Sequence, residues 1–255
     1  MTKDPEQVAI EIHDLSVSYE KKPVLWGIDL DIPKGTLTGV IGPNGAGKST
    51  LIKAIMGLVP NTSGYVKVFD HPLEQVRKTV SYVPQRESVD WDFPASVFDV
   101  VLMGRYGGLG LFRRPRKADK ESAMNALRQV DMEAYAGRQI SQLSGGQQQR
   151  VFLARALTQQ ADVYLMDEPF AGVDAATEKA LIAIMKRLTE QGKTLVVVHH
   201  DLQSVKLYFD WLIMLNLRLV AAGPTSEVFQ SPTLEETYGG KLTLLTEVGG
   251  IDEKR

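Results

Sequence analysis

The chain has 255 residues, of which 44% are hydrophobic and 24% charged, and this composition excludes a disordered or fibrous protein. Its 29 Lys and Arg nearly balance its 31 Asp and Glu, so no overall field draws it to nucleic acid or to an anionic membrane. The absence of cysteine excludes disulfides and thiolate metal sites, and no two of the four histidines have the i, i+4 spacing of a helical zinc site.

The start of the sequence and its apolar segments bear on where the protein acts. The stretch MTKDPEQVAIEIHDL contains acidic residues and lacks the apolar core of a signal peptide. Apolar runs such as VYLM at 163–166 and LVVV at 195–198 are short, whereas a transmembrane helix needs about 20 apolar residues. We therefore expect a protein that is not secreted and that works at a membrane only if another chain spans it.

The first strands are predicted over residues 8–41, where apolar and polar residues alternate, with turns at 21–23 and 33–35. Several short strands here would form a β-rich layer. The last of them, LTGVI, leads directly into the glycine-rich GPNGAGKST at 42–50 and the helix-like STLIKAIMGL. This order of strand, glycine loop and helix is the one that a P-loop requires.

The glycine loop has the residue types needed to hold phosphate. Its glycines leave successive backbone N–H groups free to face phosphate oxygens where a helix begins. Lys48 adds a positive charge for the terminal phosphates, and the Ser49 hydroxyl is a ligand for Mg²⁺. A plain glycine turn before a helix would not need the Lys-Ser-Thr sequence. We assign to ATP binding the residues Gly42, Pro43, Asn44, Gly45, Ala46, Gly47, Lys48, Ser49 and Thr50.

A helical region is predicted from about residue 88 to 140, because apolar residues such as Val97 and Val100 recur there at helical spacing. It is interrupted by RYGGLGLFRRPRKADKE at 105–121, for which we predict a mobile basic loop. Within that loop, RRPRK at 113–117 is either a solvated segment or a docking site for an acidic partner.

Two buried-looking strands follow, DVYLMDE at 162–168 and KTLVVVHHD at 193–201, each after a helical segment, and this alternation indicates βαβ units. Asp167 and Glu168 thus stand at the carboxyl end of a core strand, where α/β sheets place their ligands. Asp167 can hold Mg²⁺ through water, and Glu168, on the opposite side of an extended chain, can act as general base. A solvated turn is the alternative interpretation of this acidic pair.

The stretch QLSGGQQQR at 142–150 is a second glycine-containing loop. Ser144 and Gln147 have the S-x-x-Q spacing of a helix capping box, which explains these two residues without any ligand. Gly145 and Gly146 weaken a helix by about 1 kcal/mol each, and they make sense where a second backbone approaches phosphate closely.

Together, GPNGAGKST, LSGGQQQR and VYLMDEP resemble the motifs of ATP-binding-cassette (ABC) ATPases, and LSGGQQQR resembles their signature motif. The resemblance implies an α/β fold: a P-loop NTPase core with an N-terminal antiparallel β-layer and an inserted helical subdomain. It also implies ATP and Mg²⁺ as cofactors and a head-to-tail homodimer. In that homodimer, Ser144, Gly145, Gly146 and Gln147 of one chain close on the nucleotide that the other chain holds.

Further site residues follow from the resemblance. Gln85 in SYVPQ resembles the glutamine of the Q-loop, the loop that links Mg²⁺ to the helical subdomain. Tyr19 in VSYE is similar to the aromatic residue that stacks on adenine, although a tyrosine in a β-layer is otherwise a packing residue. Asp174 in AGVD resembles a residue that contacts the partner across the dimer. His200 matches the switch histidine at the γ-phosphate and His199 takes the usual Thr position, and only one of two adjacent residues at a strand end can face that phosphate.

The resemblance covers nearly the whole chain and defines its expected organisation as a single domain, 1–255. We expect the nucleotide-binding core at 8–87 and 160–222, the helical subdomain at 88–159 and a short helical tail at 223–255. No coiled-coil insertion separates the P-loop from LSGGQQQR, which argues against a DNA-repair or chromosome-maintenance ATPase. The sequence also lacks the NKxD motif of a GTPase.

The segment VPQRESVDWDFPASVFDVVLMGRYG at 83–107 is similar to the corresponding region of cassettes that power bacterial import of manganese, zinc or iron. The implied protein is the ATPase subunit of such an importer, peripheral at the cytoplasmic face of the membrane. Its implied partners are permease subunits and, indirectly, an extracytoplasmic metal-binding protein, with no nucleic acid. The alternatives are siderophore or haem import and a soluble cassette acting on ribosomes or DNA. Trp91 and Phe93 either pack the helical subdomain or form a groove for a permease helix.

Overall fold

The chain forms two sheets and a set of helices, which the computed structural model describes for residues 7–20, 22–109 and 114–239. The strands are β1 (Val8–Tyr19), β2 (Lys22–Pro33), β3 (Leu37–Ile41), β4 (Ser63–Val68), β5 (His71–Pro72), β6 (Val80–Val83), β7 (Val163–Met166), β8 (Thr194–Val198), β9 (Trp211–Asn216) and β10 (Arg218–Pro224). The α-helices are α1 (Lys48–Ile55), α2 (Leu73–Val76), α3 (Val97–Leu102), α4 (Tyr106–Leu109), α5 (Lys117–Gln129), α6 (Gly145–Thr158), α7 (Ala175–Glu190), α8 (Val205–Tyr208), α9 (Thr225–Val228) and α10 (Ser231–Tyr238). Short 3₁₀ helices lie at Arg77–Thr79, Arg86–Ser88, Met103–Arg105, Glu133–Tyr135 and Ile140–Gln142.

The antiparallel sheet has the strand order β2-β1-β4-β5 and forms the amino-terminal layer. It contains two strands of 12 residues, β1 and β2, where the sequence predicted several shorter ones. The turn between them also differs from the predicted 21–23, because Lys22 and Pro23 already belong to β2. Glu20, at φ 55°, begins the reversal earlier, and Pro23 is tolerated because β2 is an edge strand. Lys21 lies outside the described residues.

The central sheet has the strand order β10-β9-β3-β8-β7-β6. Its strands from β9 to β6 run parallel, and β10 runs antiparallel to β9. Every residue of β3, β7 and β8 is buried, as expected for parallel strands that are covered on both faces. Because parallel strands end at the same edge of a sheet, the loops after β3, β6, β7 and β8 lie side by side.

The two faces of the central sheet bury different neighbours. Val40 and Val198 pack with Leu51 of α1 and with the antiparallel layer. Alternate residues, such as Val197 and Met214, face the opposite way and pack with α6 and α7. The architecture is the predicted α/β class with an N-terminal antiparallel layer.

Helices α3 to α6 lie in the predicted helical subdomain, but the basic segment 105–121 is not a loop throughout. Helix α4 lies within it, and α5 occupies its last residues. The carboxylate of Asp119 stabilises the start of α5, because it accepts the Arg116 N–H at 2.9 Å and pairs with the Arg105 side chain at 3.0 Å. Residues 110–113 lie outside the described chain, and the predicted mobility of this segment stays a prediction.

Beyond β10, the predicted short helices of the tail are present as α9 and α10, and the tail residues 240–255 lie outside the described part. Within the described ranges, no helix combines the length and apolar composition needed to cross a bilayer.

Candidate nucleotide-binding site

The loop between β3 and α1 depends on its glycines. Gly45 and Gly47 adopt φ angles of 81° and 95°, in the left-handed region. A Cβ on Gly47 would lie 2.6 Å from Leu25 Cδ2, and a Cβ on Gly42 would overlap the carbonyl oxygen of Leu215. The predicted P-loop therefore lies so close to β2 and β9 that two of its positions leave no room for a side chain.

Helix α1 begins at Lys48 without a side-chain cap. The first N–H groups of a helix have no partner within the helix, so an uncapped start is suited to an anion. Asn44 is exposed at the tip of the loop, and the Ala46 N–H donates to the Pro43 carbonyl at 3.1 Å. Thr50 is buried within α1. The loop and the helix start together fit the phosphate groups of a nucleotide.

Lys48 is buried at the P-loop, with 7% of its surface exposed. Its Nζ donates to the carbonyls of Gly42 at 2.9 Å and Pro43 at 3.0 Å. Burial lowers the pKa of Lys48, and the charges of Glu168 and Asp167 oppose that effect. The ammonium is thus held by neutral acceptors, which an anionic phosphate can replace.

Ser49 and Asp167 form the pair predicted to hold Mg²⁺. The Ser49 hydroxyl donates to Asp167 Oδ1 at 2.8 Å. Asp167 is 1% exposed, and this burial raises its pKa while the Ser49 hydrogen bond lowers it. Hydroxyl and carboxylate oxygens suit a hard divalent cation. The described residues contain no group of three His, Cys, Asp or Glu that could hold a metal.

Glu168 corrects one sequence expectation. Strand β7 ends at Met166, and Glu168 has φ 52°, so it is left-handed rather than extended and the argument from opposite faces of a strand fails. Its Oε2 accepts a hydrogen bond from Gln85 Nε2 at 3.2 Å. A non-glycine residue in this region stores strain, and such strain clusters at functional sites. The structure brings the predicted base and the predicted Q-loop glutamine together.

The two histidines after β8 have different surroundings. His199 is 1% exposed, and its Nε2 lies 2.7 Å from Ser204 Oγ. Burial is the main cause that lowers the pKa of His199 to about 4, so its ring is neutral at pH 7. His200 is exposed. Strand β8 ends at Val198, so both histidines lie beyond the strand and the alternation argument does not apply to them. The contact of His200 with a γ-phosphate stays a prediction.

The start of α6 contains the second glycine pair. Ser144 and Gln147 form the capping box: the Ser144 N–H donates to Gln147 Oε1 at 3.0 Å, and the Gln147 N–H donates to Ser144 Oγ at 3.4 Å. A Cβ on Gly145 would lie 3.2 Å from Arg86 Cζ, and a Cβ on Gly146 would lie 3.3 Å from the side chain of Thr177. Both glycines thus have a packing reason, beyond any approach to phosphate, that sequence reasoning missed.

Arg86 connects the Q-loop to the signature helix α6. Its Nε and Nη2 donate to Gln148 Oε1 at 3.2 and 3.0 Å. The backbone carbonyl of Arg86 accepts the Trp91 Nε1–H at 2.9 Å, and the Trp91 ring packs on Phe152 at a centroid distance of 4.8 Å. Trp91 therefore packs within the helical subdomain. Phe93 is 52% exposed, and its part in a permease groove stays a prediction.

Asp174 and Tyr19 occupy positions at the ends of elements. Asp174 caps α7 by accepting the N–H groups of Ala176 and Thr177, and the Thr177 hydrogen bonds lower its pKa. Tyr19 is 45% exposed at the end of β1. Trp26 is a further exposed aromatic residue, which no sequence motif singled out: it is 56% exposed, and the Arg218 guanidinium lies 5.1 Å from its ring centroid. A tryptophan at an exposed position of an alternating strand was the available signal.

Comparisons with known proteins agree with the motifs. The model of the ABC transporter family matches residues 25–171. The manganese transport system ATP-binding protein MntB of Bacillus subtilis (strain 168) is 60% identical over 238 residues, which are 93% of this chain and 95% of that protein. The zinc transport system ATP-binding protein TroB of Treponema pallidum (strain Nichols) is 57% identical over 235 residues, 92% of this chain and 88% of that protein.

A solved structure gives the same result for the fold. The protein cbiO1 from Clostridium perfringens, part of the ABC transporter complex cbiONQ, matches this chain with a TM-score of 0.76 at 25% identity. The match covers 95% of this chain and 98% of cbiO1. The fold class predicted from the motifs is confirmed.

Proposed function

The chain belongs to the ABC transporter family, and on this premise we propose that it powers the import of a transition-metal ion: manganese, zinc or iron. As a member of that family it binds and hydrolyses ATP. The proposal of a metal substrate rests on two relatives that are named for manganese and zinc transport. They are 60% and 57% identical to this chain over 93% and 92% of its length.

We propose that two copies of the chain act on membrane permease subunits at the cytoplasmic face of the membrane. An extracytoplasmic metal-binding protein is the indirect partner, and no nucleic acid takes part. In this scheme the metal ion passes through the permease and never touches the ATPase. Residues of this chain need not distinguish manganese from zinc, so the close similarity to relatives named for either metal is expected.

In the proposed mechanism, the P-loop and the start of α1 bind the phosphates, and Lys48 exchanges its two carbonyl acceptors for phosphate oxygens. Ser49, Asp167 and Gln85 would hold Mg²⁺, which supplies positive charge to the transferred phosphoryl group. The 2.8 Å pair of Ser49 and Asp167 supports this assignment. Tyr19, exposed at the end of β1, would stack on adenine.

We assign proton removal from the attacking water to Glu168. The hydrogen bond from Gln85 to Glu168 Oε2 orients the carboxylate and leaves Oε1 available to water. His200, exposed at the end of β8, would contact the γ-phosphate. Ser144, Gly145, Gly146 and Gln147 would complete the site from the second chain of a head-to-tail dimer. Ser144 is exposed, as such a contact requires.

The importer proposal is tested in the cells that produce the protein. We expect a tagged chain to co-purify with a multi-span permease from detergent-solubilised membranes. We also expect cells carrying Glu168→Gln to lose uptake of at least one of the three metals. Cells carrying Glu87→Gln, which changes an exposed glutamate two residues after Gln85, should retain this uptake. Co-purification with ribosomes or DNA, or loss of siderophore or haem uptake alone, would contradict the proposal.

A further inference from the structure

The turn between β9 and β10 supports the P-loop through its backbone. Leu217 donates its N–H to the Ala46 carbonyl at 2.9 Å, and its own carbonyl accepts the Trp26 N–H at 2.9 Å. Leu217 has φ 59°, a left-handed conformation that is uncommon for leucine. It is 44% exposed, so side-chain burial does not explain this conformation. The reversal of the chain does, because Leu217 is the residue that joins the antiparallel strands β9 and β10.

The residue at the end of β9 restricts the first glycine of the P-loop. The Leu215 carbonyl lies where a Cβ of Gly42 would be, so the two backbones are in direct contact. The Gly42 carbonyl is also one of the two acceptors of the Lys48 ammonium, at 2.9 Å. The position of Leu215 therefore determines where Gly42 lies, and Gly42 in turn holds Lys48.

Helix α10 docks on the same turn. Asn216 Nδ2 donates to the carbonyl of Thr237, a fully buried residue of α10, at 3.0 Å. Asn216 is the last residue of β9 and directly precedes Leu217, so this bond joins α10 to the turn that contacts the P-loop.

We propose that Asn216 is a positioning residue for ATP binding: by docking α10 on the β9–β10 turn, it holds the backbone of Gly42 and Ala46 and so raises the affinity of the P-loop for ATP. A loop that is already ordered loses less conformational freedom when a ligand binds. The inference rests on the proposed nucleotide role of the P-loop. It gives the carboxyl-terminal helix an effect on ATP that requires no contact with ATP.

The test compares one deletion with a matched control. Asn216→Ala removes the bond to Thr237. It is expected to raise the Kd of the monomer for Mg²⁺-free ATP about 3- to 10-fold, while kcat at saturating ATP stays unchanged. The control, Asn125→Ala, removes the acceptor of a hydrogen bond that Arg128 donates in the helical subdomain, and it should leave Kd unchanged.

A second measurement needs no nucleotide. Hydrogen exchange of the Leu217 amide, which is bonded to the Ala46 carbonyl, is expected to accelerate in Asn216→Ala and not in Asn125→Ala. A wild type that does not bind ATP would refute the proposed function. A wild type that binds ATP, with the same Kd in Asn216→Ala or an equal loss in Asn125→Ala, would overturn this inference alone.

Discussion

At Lys48, the local motif sets the residue type, and the surrounding fold sets its burial and its hydrogen bonds. The motif places an ammonium after the glycine loop, whereas the fold buries it and gives it the Gly42 and Pro43 carbonyls as hydrogen-bond acceptors. Neutral acceptors are weaker partners than phosphate. The lysine is thus held at the position where a nucleotide would meet it.

Lys48→Ala is expected to weaken ATP binding by about 100-fold or more, because it removes charge-assisted hydrogen bonds worth about 1.5–3 kcal/mol each. Isothermal titration calorimetry with ATP measures the effect. Lys67→Ala, which removes a lysine from a surface ion pair with Asp70, is the control and should bind like the wild type. An unchanged Kd in Lys48→Ala would refute the role given to the lysine.

Glu168→Gln is expected to lower ATP hydrolysis by about 10²- to 10⁴-fold with little change in ATP affinity, because the amide keeps the shape and loses the base. Bound ATP should then hold two chains together. Size-exclusion chromatography with and without Mg²⁺-free ATP shows the dimer, and exposed Glu87→Gln serves as control. A variant that binds ATP and stays monomeric at saturation would exclude the composite site.

At the scale of elements, the Q-loop and the start of α6 form one packed unit. Arg86 bonds to Gln148 and lies against Gly145, while Thr177 of α7 lies against Gly146. A shift of the Q-loop would therefore move the start of the signature helix. Close packing transmits such shifts because it leaves no free volume to absorb them.

Mixed dimers test whether α6 serves the partner's nucleotide. Pairing a Gly145→Asp chain with a Lys48→Ala chain puts both defects in one composite site and leaves the other whole. Pairing a doubly substituted chain with a wild-type chain puts one defect in each site. ATPase assays of dimers purified with two different tags should show clearly higher activity for the first pairing. Equal activities would contradict the head-to-tail arrangement.

At the scale of the whole molecule, the buried His199 links stability to pH. Its folded pKa of about 4 lies below the ordinary value of 6.5, so below pH 6.5 the unfolded chain binds the proton more tightly. His199 stabilises the fold fully above pH 6.5, and this contribution is lost as the pH falls towards 4. The neighbours Ser204, Asp201 and His200 do not remove this dependence of stability on pH, because burial of the ring is the largest cause of the lowered pKa of His199.

The expected loss from this one group between pH 7 and pH 5 is about 2 kcal/mol in the free energy of unfolding. Urea denaturation of the wild type and of His199→Gln at both pH values measures it, and the variant should lose less than the wild type. His71→Gln, at an exposed position, is the control and should behave like the wild type. Equal losses in His199→Gln and the wild type would show that His199 is not the responsible group.

The sequence by itself determined the P-loop, the acidic pair after β7, the second glycine loop and the α/β class. These features are local: a glycine motif, a run of apolar residues and a charged pair at a strand end each consist of adjacent residues, so they can be identified without knowledge of the tertiary structure. The edge of the sheet where they meet also followed, because parallel strands end together.

Tertiary structure decided what depends on residues distant along the chain. Glu168 has a left-handed rather than an extended conformation, Gly145 lies against Arg86, and Gly146 lies against Thr177. Trp91 packs within the helical subdomain and Phe93 is exposed, although both lie next to aspartates in the sequence. The contact of the β9–β10 turn with the P-loop was equally invisible, because it joins Leu217 to Ala46, which lie far apart in the sequence, and no periodicity encodes a contact that only packing brings about.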